Sequence, residues 1–126
     1  MSGLRPLSSG ALLLAALHSA AFATDESATR GRQVFESRCA SCHVGSTPSA
    51  ATLGPALSGI VGRKAGGGAS GVHSRAMAES GIVWSRDSLR RFLSNPGREV
   101  PGTIMPVRLD DPKQREDLLD YLETLR

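Results

Sequence analysis

The sequence predicts a small all-α protein whose short helices are joined by long irregular loops. Apolar residues recur at helical spacing in several segments, and no segment alternates apolar and polar residues as strands do. Glycine and proline clusters at Gly54-Pro55, 66–71 and Pro101-Gly102 separate these segments. Aromatic residues make up only 4% of the chain. Because so small a chain buries a modest core, we expect a disulfide or a bound cofactor to help fill the interior.

The first 23 residues have the pattern of an export signal. Arg5 precedes an apolar run over 11–17, and Ala21-Phe22-Ala23 supplies the small residues of a cleavage site. A membrane anchor is the alternative, but His18 interrupts the run, which is shorter than the roughly 20 residues of a spanning helix. We therefore predict a cleaved signal peptide over 1–23, export to the periplasm and one domain over 24–126.

About four short helices are predicted. The first places Val34 and Phe35 on one face, one turn after Gly31. The third is stopped by Asn95-Pro96, since proline cannot continue a helix. The last has apolar residues at the i, i+3, i+4, i+7 spacing of an amphipathic helix. The four segments are 29–39, about 75–79, about 87–94 and 113–125.

The charge of the chain argues against a nucleic-acid partner. The formal net charge is +3, and the basic residues are scattered along the chain. Only two of them, Lys64 and Lys113, are lysines. We expect a monomer without a stable membrane span.

Both cysteines lie in the stretch Cys39-Ala40-Ser41-Cys42-His43, which allows four interpretations. A thioredoxin-type redox pair needs surrounding strands, and none are predicted. A structural zinc needs four ligands, whereas outside this stretch the predicted domain offers only His73 as a further histidine. A plain disulfide leaves His43 unexplained. The fourth interpretation, covalent haem attachment, accounts for both cysteines and the histidine, since C-x-x-C-H is the c-type haem motif.

The spacing suits that chemistry. On one helical turn both sulfurs face one side, where each can add to a vinyl group of the porphyrin. The neutral imidazole of His43 then binds the iron, while its other N–H needs an acceptor that orients the ring.

The second axial ligand decides between electron transfer and an open site. The candidates are His73, Met77 and Met105. Met105 lies between Pro101-Gly102 and Pro106, in a loop suited to pressing a thioether against the iron. Met77 lies in a short helical segment, where methionine is more often core packing. Histidine and methionine together are the ligand pair of an electron-carrying cytochrome c.

Over nearly the whole predicted domain, the chain resembles class I c-type cytochromes of the mitochondrial cytochrome c and bacterial cytochrome c2 type. The resemblance implies one haem c attached through Cys39 and Cys42 and wrapped by loops, with the first and last helices crossing. It rests on these residues, in order: Gly31, Phe35, Cys39-x-x-Cys42-His43, Gly54-Pro55-x-Leu57-x-Gly59, Gly62-Arg63-Lys64, Gly81-Ile82-Val83-Trp84, Asn95-Pro96, Pro101-Gly102-Thr103-x-Met105 and Arg115-Glu116-Asp117-Leu118.

The resemblance also implies supporting roles. The Pro55 carbonyl would accept from His43, and Arg63 and Trp84 would hydrogen-bond a buried haem propionate. Core packing for Trp84 and an exposed loop position for Arg63 are the plainer alternatives. His73 replaces a propionate-binding tyrosine of the family, and an exposed loop histidine is the alternative there.

Other departures concern the distal side and the surface. Phe92 stands where a tyrosine often contacts the ligating methionine, so that hydrogen bond is missing. Most of the family's docking lysines are absent, and Ile104 replaces one of them.

The sequence therefore predicts a periplasmic one-electron carrier, not an enzyme, with iron ligands His43 and Met105. Its donor would be a dehydrogenase or cytochrome complex, and its acceptor an oxidase or reductase. A dedicated subunit of one oxidoreductase is the first alternative. An open-coordination haem protein with peroxidase or gas-binding activity is the second.

Overall fold

The computed structural model describes residues 10–45, 52–67 and 72–126. Within these residues the regular structure is helical, with one isolated β-bridge and no strand, so the predicted all-α class is confirmed. No helix in the described ranges is long and apolar enough to cross a bilayer. The helices are α1 (Gly10–Arg38), α2 (Arg75–Glu79), α3 (Arg86–Ser94), α4 (Pro96–Glu99) and α5 (Pro112–Thr124).

Two helices differ from the sequence prediction. α1 begins at Gly10, so its first part lies in the predicted signal peptide, whose cleavage stays a prediction. α4 was not predicted. Pro96 stops α3 as expected, but it also begins α4, because a helix does not need an N–H at its first position. Asn95 caps α4, its side-chain oxygen accepting from the Arg98 N–H at 3.1 Å.

α1 crosses α5 in close contact. A Cβ atom on Gly31 would lie 1.8 Å from the Asp117 carbonyl oxygen, so only glycine lets these backbones approach so closely. One turn later the Phe35 and Tyr121 rings pack at 5.5 Å between centroids. The Arg30 guanidinium forms two hydrogen bonds with the Asp117 carboxylate, at 2.9 and 3.1 Å. The crossing thus places the C-terminal end of α1 beside the core.

The core lies where α3 meets α5. Leu118, Leu119 and Leu122 of α5 are buried in one apolar cluster with Leu89 and Phe92 of α3. Outside this cluster, Arg86 and Arg90 of α3 pair with carboxylates on α5: Glu116, Asp120 and Glu123.

Two loop segments pair antiparallel around the bridge between Lys64 and Val83. The Gly62 N–H donates to the Trp84 carbonyl at 2.7 Å, and the Trp84 N–H to the Arg63 carbonyl at 2.8 Å. This pairing brings Arg63 and Trp84 together although 20 residues separate them in the chain.

Candidate functional site

The helices and loops surround a cavity of about 450 Å³. Its walls are mostly aliphatic and aromatic, with Phe92 and Leu118 among the buried residues that line it. Every site residue predicted from the sequence also lines it: Cys39, Cys42, His43, Pro55, Arg63, His73, Trp84 and Met105.

The two thiols reach the cavity because the chain continues turning after α1. The Cys39 N–H donates to the Phe35 carbonyl and the His43 N–H to the Cys39 carbonyl, both at 2.9 Å. Both cysteines are free of a disulfide. Cys39 is buried and Cys42 is half-buried. Burial raises the pKa of the Cys39 thiol to about 11, although the Arg38 cation opposes the rise.

His43 is held in one orientation and one tautomer. Its Nδ1 lies 2.8 Å from the Pro55 carbonyl oxygen, and since that oxygen only accepts, Nδ1 carries the proton. Nε2 of the neutral ring is then a lone-pair donor suited to a metal. A Cβ atom on Gly54 would lie 2.5 Å from Cε1 of this ring, so the Gly54 backbone packs directly on the imidazole.

Met105 lies on the loop between α4 and α5. Gly102 has a φ of +90° there, and the Thr103 N–H donates to the Val100 carbonyl at 3.0 Å, closing a turn before Met105. The Met105 N–H donates to the Thr103 Oγ1 at 3.3 Å. Met105 is half-buried and lines the cavity.

Met77, for which the sequence favours core packing, lines the same cavity. It is half-buried and packs against the apolar cluster. Met77 therefore contributes to the core and lines the cavity at the same time. α2, which carries it, is packed between two glycines. A Cβ atom on Gly66 would lie 2.5 Å from Cα of Ala78, and one on Gly102 would lie 3.1 Å from Cβ of Ala76.

Arg63 brings a positive charge to the cavity without an anionic partner. Its guanidinium donates to the carbonyls of Ala56, at 2.7 Å, and Ser58, at 3.2 Å. No ion pair within the described residues includes it, and burial lowers its pKa. Trp84 is buried beside it, with its ring 5.1 Å from that of Phe92. His73 is half-buried and also lines the cavity.

These residues fit a c-type haem. The apolar walls suit a porphyrin, the two thiols suit thioether bonds, and the neutral Nε2 of His43 suits iron. The half-buried guanidinium of Arg63 suits a propionate carboxylate. The zinc alternative finds no support, since no three His, Cys, Asp or Glu residues in the described ranges are grouped to hold a metal ion.

Comparison with known proteins agrees with a c-type haem site. Residues 28–126 match the cytochrome c family. Cytochrome c from Cochliobolus lunatus is 39% identical over 97 residues, which cover 76% of this chain and 90% of that protein. Cytochrome c from Tetrahymena pyriformis is 41% identical over 99 residues, covering 78% and 88%. The solved structure of cytochrome cH from Methylobacterium extorquens superposes with a TM-score of 0.68 at 38% identity, covering 77% of this chain and 97% of that one.

The family match and these relatives define an electron-transfer haem protein rather than an enzyme. The chain belongs to the cytochrome c family. Its cofactor is one covalent haem c, attached through Cys39 and Cys42.

The sequence does not single out three further residues that line the cavity: Leu53, Gly54 and Val72. The sequence presents Gly54 only as part of a motif, because nothing local indicates that its backbone packs on a ring 11 residues earlier. Leu53 and Val72 have no signal in the sequence, because an apolar residue in a loop belongs to no periodic pattern. Both are exposed and line the cavity.

Proposed function

We propose that this family member is a periplasmic one-electron carrier in which His43 and Met105 would be the two protein ligands of the haem iron. Its donor is a dehydrogenase or cytochrome complex, and its acceptor is an oxidase or reductase. One observation carries this proposal: His43, in a defined tautomer, lines the same apolar cavity as Met105 and both cysteines. The apolar run and cleavage site in 1–23 support export.

The bound haem supplies the ferric–ferrous couple, which takes up and releases one electron. The chain supplies the environment. The hydrogen bond from His43 Nδ1 to the Pro55 carbonyl orients the ring and raises its basicity. The apolar walls exclude water, and Phe92 offers the Met105 thioether no hydrogen bond. Arg63 and Trp84 would donate to a buried propionate, with His73 as a further donor.

Met105→Ala in the haem-loaded protein tests the distal ligand. Removing the thioether should open the sixth coordination position, since the small side chain cannot reach the iron. We expect the weak long-wavelength sulfur-to-iron absorption band of the oxidised protein to disappear. Carbon monoxide should then bind the reduced form, and peroxidase activity should appear.

Met77→Leu is the matched comparison, because it removes the other thioether in the cavity. A swap that conserves volume costs less than about 1.5 kcal/mol of folding stability, so the variant should fold. The band should survive in it. Loss of the band in Met77→Leu with survival in Met105→Ala would assign the ligand to α2 and reject Met105. A wild type that binds carbon monoxide without displacing a ligand would favour the open-coordination alternative.

A further inference from the structure

The chain keeps one apolar side chain buried after the end of α5. Leu125 follows Thr124 in an extended conformation, with φ −79° and ψ 115°. It is only 9% exposed and belongs to the apolar cluster of the core, whereas the next residue, Arg126, is exposed. Among the described residues, Leu118 and Leu122 of α5 line the cavity, but Leu125 does not. Any influence of Leu125 on the haem site therefore passes through other residues.

Leu125 contacts two segments that lie far from it in the sequence. Its carbonyl accepts a hydrogen bond from the Gly59 N–H at 2.9 Å. Its two methyl carbons would lie 3.5 and 3.6 Å from a Cβ atom on Gly45, so the side chain packs beside the Gly45 backbone. One residue thus contacts both the segment that follows His43 and the segment that follows Pro55.

These two segments also hydrogen-bond to each other. We name the two segments, 42–45 and 54–59, the proximal pair. Two backbone hydrogen bonds join them, from the Gly54 N–H at 2.8 Å and from the Leu57 N–H at 3.0 Å. One segment carries the His43 ring, and the other carries the Pro55 carbonyl, 2.8 Å from Nδ1 of that ring. Leu125 therefore touches both sides of the hydrogen bond that orients the imidazole.

We propose that Leu125 is a positioning residue for His43. The proposal rests on the proposed role of His43 as a ligand of the haem iron. Because Leu125 packs on one segment of the proximal pair and hydrogen-bonds the other, it restrains the distance between Nδ1 and the Pro55 carbonyl. A well-held hydrogen bond at this position raises the basicity of the imidazole, and such bonds help to set the reduction potential of a haem. A residue outside the cavity thereby adjusts the electron affinity of the haem.

A purely structural role for Leu125 is the alternative, since any buried leucine stabilises the fold. Leu119 is the matched residue that separates the two roles. It lies on α5, is 1% exposed and does not line the cavity. Within the described residues, no backbone hydrogen bond joins Leu119 to the proximal pair. Truncating Leu119 should therefore cost stability without changing the hydrogen bond of His43.

The test compares Leu125→Ala with Leu119→Ala in the haem-loaded protein. The first readout is the proton NMR shift of the His43 Nδ1–H in the reduced protein, which moves upfield as its hydrogen bond weakens. The second is the equilibrium constant for oxidation of ferrocyanide by the ferric protein, which reports the reduction potential. Both readouts describe the folded protein, so a loss of folding stability alone does not change them.

In Leu125→Ala we expect the Nδ1 proton to move upfield, because the proximal pair loses its packing on α5. The equilibrium constant should rise about threefold, less than the 10–100-fold effect of removing such a hydrogen-bond partner outright. The direction follows because a less basic imidazole stabilises ferric iron less. Leu119→Ala should keep the wild-type value of both quantities while its thermal unfolding midpoint falls. Leu125→Met, which conserves the volume of the side chain, should also keep both wild-type values.

Two results would overturn the proposal. A wild-type value of either quantity in Leu125→Ala would leave Leu125 with a structural role only. Equal changes in Leu119→Ala would show that the effects follow from any loss of core packing.

Leu125→Val keeps the test decisive if Leu125→Ala does not hold haem. It removes a single methylene, so both quantities should change in the same direction by a smaller amount, and wild-type values would count against the proposal equally. The proposed function has its own check in the wild type. If the His43 ring protons there lack the large ring-current shifts of an imidazole bound beneath a haem, His43 is not the ligand and the proposed function fails instead.

Discussion

At the scale of single residues, Gly54 controls how closely the chain approaches His43. Its backbone packs on the imidazole, and its neighbour Pro55 accepts the ring N–H at 2.8 Å. The same two residues therefore set the position and the tautomer of the ring. A metal ligand has to be held in both respects, so this short stretch suits His43 to the iron-ligand role proposed for it.

Gly54→Ala should disturb the site without removing any polar group. The added methyl would lie 2.5 Å from the imidazole, so the ring or the loop has to move, and such overpacking costs about 1–3 kcal/mol of folding stability. We expect a lower thermal unfolding midpoint and an altered haem spectrum. Gly45→Ala is the control, since its new methyl would lie no closer than 3.5 Å to Leu125. Equal midpoints for both variants would contradict the importance of this contact.

At the scale of helices, the crossing of α1 and α5 organises the molecule. Gly31 allows the approach, and the ion pair between Arg30 and Asp117 closes one side of it. Lys113 pairs with the same carboxylate at 3.0 Å. The Arg30 hydrogen bond, foremost among several causes, lowers the pKa of Asp117, so this buried carboxylate stays ionised.

Gly31→Ala should be among the most damaging small substitutions in the chain. Its methyl would meet backbone atoms, with the Asp117 carbonyl oxygen at 1.8 Å, and backbone cannot rotate away as a side chain can. We expect a loss of at least about 3 kcal/mol in the free energy of unfolding by denaturant. Gly97→Ala in α4 is the matched control, since its methyl meets nothing within 4 Å and should be neutral or slightly stabilising. A stable Gly31→Ala protein would show that the two helices can separate without cost.

At the scale of the whole molecule, ion pairs join the outer faces of α3 and α5. Arg86 reaches Glu116, Asp120 and Glu123, and Arg90 also reaches Glu116. The Arg90 hydrogen bond is the main cause that lowers the pKa of Glu116 to about 2, with Arg86 adding to it. Because its pKa is lower in the folded than in the unfolded protein, Glu116 stabilises the fold above its ordinary pKa.

Glu116→Gln should therefore make the folding stability depend less on pH in the acid range. The contribution of ionised Glu116 to the free energy of unfolding is complete above about pH 5, and it is lost as the pH falls toward 2. We expect the wild type to lose stability over this range more steeply than the variant, by about 1 kcal/mol at most because the pair is partly exposed. Thermal unfolding at a series of pH values measures the difference. Glu79→Gln, from an exposed pair with Arg75 on α2, is the control and should keep the wild-type slope.

Local features of this protein were determined by the sequence alone. The helical class, the end of α3 at Asn95-Pro96 and the placement of Cys39, Cys42 and His43 on one turn depend on hydrogen bonds between residues three or four apart. Spacing along the chain is enough to read such features. α4 is the local exception, because Pro96 both stops one helix and starts another.

Only the tertiary structure decided what meets across the cavity. Met77 and Met105 both line the cavity, although the sequence favours core packing for Met77 and iron binding for Met105. Gly54 lies against the ring of His43, which is 11 residues earlier in the chain. Leu53, Val72 and Ile104 border the cavity from three segments that have no periodicity in common. The physical reason is that these contacts depend on loop paths, which are set by packing against distant residues rather than by neighbours in the chain.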